Sequence, residues 1–233
     1  MTNWQAWHEP YQDPDSPLSR RLALVRRHIV TWLDERPEPM LTVLSVCAGQ
    51  GHDLLGVLVT RPDARRVRAT LLESDPHNVE AAEAAVESAG LQHMSVVRVD
   101  AGDLASYAGS VPADLVLMAG VLGNISDADA HRTIRALPRL CAAGATVVWT
   151  RSRRAPDLTP TIRRWFEATG FVERAFDAPD DVLFSVGVSR FEGVPEPLTA
   201  HGRLFTFLRG GEVRWADVGR TALASAFCRT PVL

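Results

Sequence analysis

The stretch Val43-Leu44-Ser45-Val46-Cys47-Ala48-Gly49-Gln50-Gly51-His52-Asp53 decides how the chain is read. An apolar β-branched run enters it, a turn with two glycines occupies its middle, and Leu54-Leu55 carries a helical signal away from it. A parallel sheet builds a nucleotide crevice in this way: strand, tight turn, then a helix N-terminus facing the ligand. Small residues also turn strands into helices where no ligand binds, so the surrounding chain has to supply the meaning of the turn.

Outward from it, strands and helices alternate. Apolar runs predict strands over 41–46, 67–72, 94–99, 113–118 and 145–149. Between them the pattern predicts helices over 52–60, from Pro76 to a stop at Gly90, and over 126–140 from a capping box at Ser126. A further helix runs from the Thr159-Pro160 cap to Ala168, and strands over 172–176 and 182–188 follow with no helix between them. Such alternation predicts an α/β fold with a doubly wound, mostly parallel, seven-stranded sheet and helices on both faces. The last two strands are expected to form an antiparallel hairpin at its edge.

The flanks differ. Residues 1–16 carry Trp4, Trp7 and Tyr11 among polar residues and prolines, and read as an irregular arm. Ser16-Pro17 then opens an amphipathic helix over 18–35, with Arg20, Arg21, Arg26 and Arg27 read as its solvated face. At the other end, 203–208 and 212–215 around Gly210-Gly211 read as a β-hairpin. The expected organisation is an arm and helix over 1–40 serving as a lid, a nucleotide-binding domain over 41–190, and a tail over 191–233 packed on the same domain. The tail hairpin either completes the fold or pairs with a second copy in a homodimer.

Composition excludes several classes of function. With 46% hydrophobic residues among 233, the chain can bury one large core. A net charge of −3 gives no electrostatic reason to bind nucleic acid. No apolar run approaches the ~20 residues of a membrane span, and the N-terminus lacks a signal-peptide layout, so a cytoplasmic protein is expected. Three isolated cysteines suggest neither a disulfide framework nor a zinc site, and no metal is expected. All 25 basic residues are Arg. The absence of Lys removes Schiff-base chemistry and a P-loop lysine together, and suggests a GC-rich bacterial coding sequence.

In an open α/β sheet, ligands bind beyond the carboxyl ends of the strands. Those ends supply Ala48, Gly49, Gln50 and Gly51, then Glu73 and Ser74, then Asp100 and Ala101, then Gly120 and Val121. Glu73 follows the glycine turn by about twenty residues, where a carboxylate can accept both hydroxyls of a ribose. A lone acid at a strand end is most often a solvated turn residue; two on successive strands beside a glycine turn are harder to dismiss.

Here the chain resembles the class I S-adenosylmethionine-dependent methyltransferases. Their acid-x-Gly-x-Gly-x-Gly motif falls on Ser45, Cys47, Gly49 and Gly51, of which only the last two match. Glu73 lies where the family's ribose-binding acid ends the second strand, Asp100-Ala101 resembles its adenine-contacting pair, and 113–117 resembles its fourth strand. The resemblance covers roughly 41–190 and implies S-adenosylmethionine as cofactor. Ser45 replaces an acid that commonly fixes the cofactor's methionine end, and Cys47 must avoid positive φ or accept strain.

Methyl transfer from a sulfonium is an in-line displacement that needs alignment more than covalent catalysis. Candidate catalytic residues are Tyr11, His8 and Asn124, with His131 and Asp53 as further proton acceptors. Trp7 in the arm would cover the sulfonium or the substrate. Arg151, in the arginine-rich loop after the fifth strand, would grip a substrate carboxylate, unless that loop is plain solvated surface. The leading expectation is a methyltransferase for a small-molecule acceptor, with no nucleic-acid or membrane partner. The alternatives are an enzyme that consumes the cofactor by intramolecular cyclisation, releasing methylthioadenosine and azetidine-2-carboxylate, and a non-catalytic protein on a degenerate methyltransferase fold.

Overall fold

The structure, a computed structural model, describes residue 13, residues 15–199 and residues 201–208. Its strands are β1 (Leu41–Val46), β2 (Val67–Glu73), β3 (Met94–Arg98), β4 (Ala113–Met118), β5 (Cys141–Ser152), β6 (Phe171–Asp177) and β7 (Phe184–Phe191). The helices described are α1 (Pro17–Asp34), α2 (Leu54–Leu58), α3 (Pro76–Ser88), α4 (Asp127–Ala136) and α5 (Thr159–Ala168).

The strands form one mixed sheet in the order β3-β2-β1-β4-β5-β7-β6. Neighbours among β1 to β5 pair in parallel, while β7 runs antiparallel to both β5 and β6. The expected antiparallel pair is present, but the later strand sits inside and β6 takes the edge. Reversal of the strand order at β1 and β4 creates the crevice in which such sheets bind ligands.

Strand alternation divides the core into two layers. Leu41 and Val43 of β1 face a cluster with Val25, Ile29 and Leu33 of α1 and Leu54, Leu55 and Leu58 of α2. Leu44 and Val46 face the other cluster, with Ile134 of α4 and Ile162 and Phe166 of α5. Trp149 of β5 anchors that second layer, stacked on Phe166 with centroids 5.4 Å apart. Gly187 on the neighbouring β7 leaves it room: a Cβ there would lie 2.2 Å from the indole.

Several expected boundaries move for local reasons. The helix after the glycine turn shrinks to α2 because Gly51, His52 and Asp53 remain in the turn. The helix from Ser126 stops at Ala136, since Pro138 lies in a 3-10 turn over Leu137–Arg139 and has no N–H to continue the ladder. β5, at 12 residues, is more than twice the expected length. Gly144, at φ 74, does not bound the strand but lies within it, where the register against β4 shifts between Ala113 and Leu115.

Helix α1 corrects a further expectation. Ser16 caps it and Pro17 occupies its first turn, as read, but its arginines are not one solvated face. Arg21 is only 3% exposed. Arg26 donates two hydrogen bonds to the His52 carbonyl, at 2.9 and 2.6 Å, tying α1 to the glycine turn. Arg20 and Arg27 do lie at the surface, paired with Asp181 and Asp177.

The described part of the tail packs on the same core. The Leu204 N–H donates to the Gly102 carbonyl at 2.7 Å, and the Leu208 N–H to the Asn124 carbonyl at 3.0 Å. Leu204 and Phe205 are buried. No strand forms over 203–208; isolated bridges join Arg203 to Asp103 and Phe207 to Ile125. The rest of the expected hairpin, like the arm residues Trp7, His8 and Tyr11, lies outside the described residues.

Candidate cofactor site at the carboxyl edge of the sheet

The glycine turn is held by the acid that follows it on β2. Glu73 is 8% exposed, and its carboxylate accepts three backbone hydrogen bonds. The Gly49 N–H reaches one oxygen at 2.7 Å, and the N–H groups of Ser74 and Asp75 reach the other at 2.9 Å each. Charge-assisted bonds of this kind are the strong ones. With about four lone-pair sites on a carboxylate, Glu73 keeps capacity for one further donor, such as a ribose hydroxyl. Asp75 then caps α3 through the N–H groups of His77 and Asn78.

The turn has the backbone that its glycines permit. Gly49 and Gly51 have φ of 57° and 74°. At Gly51 a Cβ would stand 2.7 Å from Leu55 Cδ1 and 3.0 Å from Leu71 Cδ2, so glycine is required on two counts. Cys47, where the family pattern has glycine, also adopts positive φ, 54°. It accepts the strain, of order 1–2 kcal/mol for a residue with a Cβ. Burial pushes the Cys47 thiol well up, and the carboxylates of Glu73 and Asp100 push it further, so it stays protonated at neutral pH. Gln50 leans on the buried Asn78 at 3.4 Å.

At the end of β3, Asp100 accepts from the Gly102 N–H at 2.8 Å and pairs with Arg203 of the tail at 2.8 Å. The pair is about half exposed on each side, so it holds the tail only weakly. Gly102 allows the close approach: a Cβ there would meet the Phe205 carbonyl oxygen at 2.3 Å. The carbonyl of buried Ala101 accepts from the Tyr107 hydroxyl at 2.6 Å.

Beyond β4 the loop is braced from within. Gly120, at φ 80, donates its N–H to Thr150 Oγ1 at 2.8 Å. Val121 points into the core. Asn124 is 3% exposed; its Nδ2 donates to the Gly120 carbonyl at 2.6 Å, and its Oδ1 is buried without a hydrogen-bond partner. Arg151 does not present a free guanidinium. It is buried, donates to the Leu122 carbonyl and pairs with Asp127 at 2.9 Å, so a substrate carboxylate would have to displace Asp127 to reach it. Arg153 likewise supports the β6–β7 connection through the carbonyls of Pro179 and Val182. His131, in α4, lies against Trp165 of α5 with centroids 4.7 Å apart.

On the other side of the turn, Arg21, Leu22 and Val25 of α1 close a small cleft with Cys47, Ala48, Gly49, Gln50, His52, Asp53 and Ala119. Asp53 is 8% exposed and accepts from the Leu54 N–H at 2.7 Å. Burial pushes its carboxyl up, against the pull of that bond and of the charges of His52 and Arg21. Arg21 is the group most easily missed in the sequence. Its position four residues before Val25 puts it on the apolar stripe, which is the available signal.

No protein-family model matches the chain, and no curated protein matches it. Solved structures do. The magnesium protoporphyrin IX methyltransferase ChlM of Synechocystis PCC 6803, with bound SAM, is 14% identical, with 82% of this chain and 91% of that one covered at a TM-score of 0.63. An O-methyltransferase family protein from Burkholderia thailandensis is 17% identical, over 79% of this chain and 61% of that one, at 0.57. TYW2 of P. horikoshii, in complex with MeSAdo, is 18% identical, over 75% and 63%, at 0.52. The chain spans less than two thirds of the latter two proteins. Among the described residues no helix is long and apolar enough to cross a membrane. In its strand order, its crevice and its glycine turn, the chain has the fold of the class I S-adenosylmethionine-dependent methyltransferases.

Proposed function

We propose that this protein is an S-adenosylmethionine-dependent methyltransferase acting on a small-molecule acceptor. One observation carries the reading: a buried carboxylate at the end of β2 fastens the positive-φ glycine turn and retains one free acceptor position at the sheet's switch point. The residues present fit the cofactor. Glu73 would take a ribose hydroxyl, Asp100 and Ala101 border the adenine position, and the cleft beside Asp53 offers charged groups near the methionine end. Its neighbours in fold include a methyltransferase with SAM bound, at low identity.

The bound cofactor would supply an electrophilic methyl group on a sulfonium. The chain's own part is alignment and exclusion of water. Arg26 and Glu73 fix the two sides of the turn, and Arg151 fixes the Gly120–Asn124 loop, so the nucleoside meets a rigid edge. Asn124 is the proposed substrate-side group of that loop. Tyr11 and His8 are the proposed proton acceptors and Trp7 the cover, all brought by the N-terminal arm. Burial keeps the Cys47 thiol protonated, so it has no nucleophilic role.

Titration calorimetry with S-adenosylmethionine and S-adenosylhomocysteine tests the reading, with micromolar binding expected for both. No heat from either at millimolar concentration overturns it. Incubation with S-adenosylmethionine alone, followed by mass spectrometry, separates methyl transfer from cyclisation. Methylthioadenosine formed without any acceptor would replace methyl transfer by the intramolecular reaction.

A further inference from the structure

A groove of about 540 Å³ lies between the last turns of α1 and strands β5, β6 and β7. It borders the first half of β5, away from the carboxyl edge that carries the cofactor site. Its volume falls in the range of small-molecule sites, roughly 300–1,000 Å³. Trp32, Ala175 and Val188 give its lining an apolar part, and Arg36, Arg174 and Arg190 give it positive charge.

The donors in this lining are under-used. Thr146 of β5 and Arg190 of β7 are cross-strand partners, so their side chains stand together on one face. Thr146 is 6% exposed, and its hydroxyl has no hydrogen-bond partner among the described residues. Trp32, with the Arg36 guanidinium 5.5 Å from its ring centroid, keeps its buried indole N–H unmet as well.

The charges point the same way. Arg36 Nη2 donates to the Gly144 carbonyl at 2.8 Å, and Arg190 Nη2 lies 3.6 Å from where a Cβ on Gly144 would stand. Two guanidiniums thus converge on one residue, and like charges in close approach repel. Arg190 has no ion-pair partner among the described residues. Arg36 has Glu38, 3.6 Å away and about half exposed, which makes a weak pair. Glu35 also lines the groove, and neither glutamate forms a hydrogen bond with Arg36 or Arg190 among the described residues. Arg174 is occupied by Glu192 at 2.6 Å. An oxyanion can accept from two guanidinium forks and a hydroxyl at once, and would relieve the repulsion between them.

We propose that this groove is a second ligand site, which takes a small organic molecule by its phosphate or carboxylate group through Arg36, Arg190 and Thr146. The site is separate from the cofactor crevice and independent of the cofactor assignment.

Phenyl phosphate and benzoate, titrated calorimetrically at fixed ionic strength, serve as probes of the two oxyanions. At least one should bind saturably with a Kd below ~1 mM, and the stronger of the two identifies the group preferred. Arg190→Gln should weaken that probe about 10-fold or more, the scale of a hydrogen bond to a charged group. Thr146→Val, which keeps the shape of the side chain, should weaken it about 3- to 10-fold. Arg68→Gln, at an exposed arginine of β2, should leave it unchanged. The indole N–H resonance of Trp32, assigned with Trp32→Phe, should shift along the same saturation curve. No saturable binding of either probe up to ~10 mM overturns the proposal. Unchanged affinity in Arg190→Gln, equal weakening by Arg68→Gln, or a Trp32 resonance that stays in place overturns it as well.

Discussion

Glu73→Gln tests whether this side chain builds the site before any ligand arrives. The substitution keeps volume and burial and replaces one acceptor oxygen with an NH2 donor. In the native protein one oxygen takes the Gly49 N–H at 2.7 Å, and the other takes Ser74 and Asp75 at 2.9 Å. Either orientation of the amide sets its NH2 against at least one of these backbone donors. Hydrogen bonds to a charged group contribute ~1.5–3 kcal/mol, and an unsatisfied buried donor costs a similar amount, so the ligand-free protein should lose about 2–4 kcal/mol. At roughly 2–4 °C per kcal/mol for a chain of this size, Tm should fall by about 5–15 °C. Thermal unfolding by circular dichroism without ligand measures this, with Glu83→Gln, on the exposed face of α3, as the control. If ligand-free Glu73→Gln melts within about 1 °C of the wild type, the carboxylate does not anchor the turn. Lost cofactor binding at unchanged stability would make it a ligand contact only.

Gly51→Ala should destabilise by about 2–4 kcal/mol, from positive φ together with overlap on Leu55 and Leu71, measured by urea unfolding. Cys47, partly buried and with its thiol pushed well up by desolvation and by the charges of Glu73 and Asp100, should alkylate with iodoacetamide at pH 8 at least ~100-fold more slowly in the folded than in the unfolded protein, read by peptide mass spectrometry. Hydrogen bonds from Arg61 and Arg66 hold the Asp63 carboxyl well below the usual carboxylate range, against the effect of burial. Its folded pKa is depressed, so its contribution to stability is complete above the unfolded value of ~3.9 and is lost as pH falls through the folded value. Asp63→Asn should therefore lose less Tm than the wild type between pH 5 and pH 2, in a pH series of melts.

Much of the fold was legible because its signals are local. Apolar runs ending at small or acidic residues located β1 to β4 within a residue, and Ser16, Asp75 and Ser126 behave as caps. What failed depended on neighbours. Gly144 reads as a boundary in sequence, yet β4 pairs with Cys141 before it and Thr146 after it, so the strand runs on through the irregularity. The interior place of β7 follows from its pairing with residues 146–152 of β5, which no local pattern reports. At the site, Glu73 was visible as an acid at a strand end, but its three backbone donors were not. Arg21 was read by its charge although its spacing placed it on the buried stripe. Arg151 was read as a substrate grip because the sequence does not reveal that Leu122 and Asp127 converge on it.

The interior position of β7 also bears on how the chain is made. β5 ends at Ser152, whereas the strand that covers its free edge ends at Phe191, so 39 residues must be added before that edge is paired. At ~5–20 residues per second this is roughly 2–8 s on the ribosome. During that interval Val147, Val148 and Trp149 lie on an open edge, and β6, already synthesised, has no strand to join. Completion of the described sheet is thus a late event in synthesis, and the nascent chain is most open to edge-to-edge association just before β7 emerges.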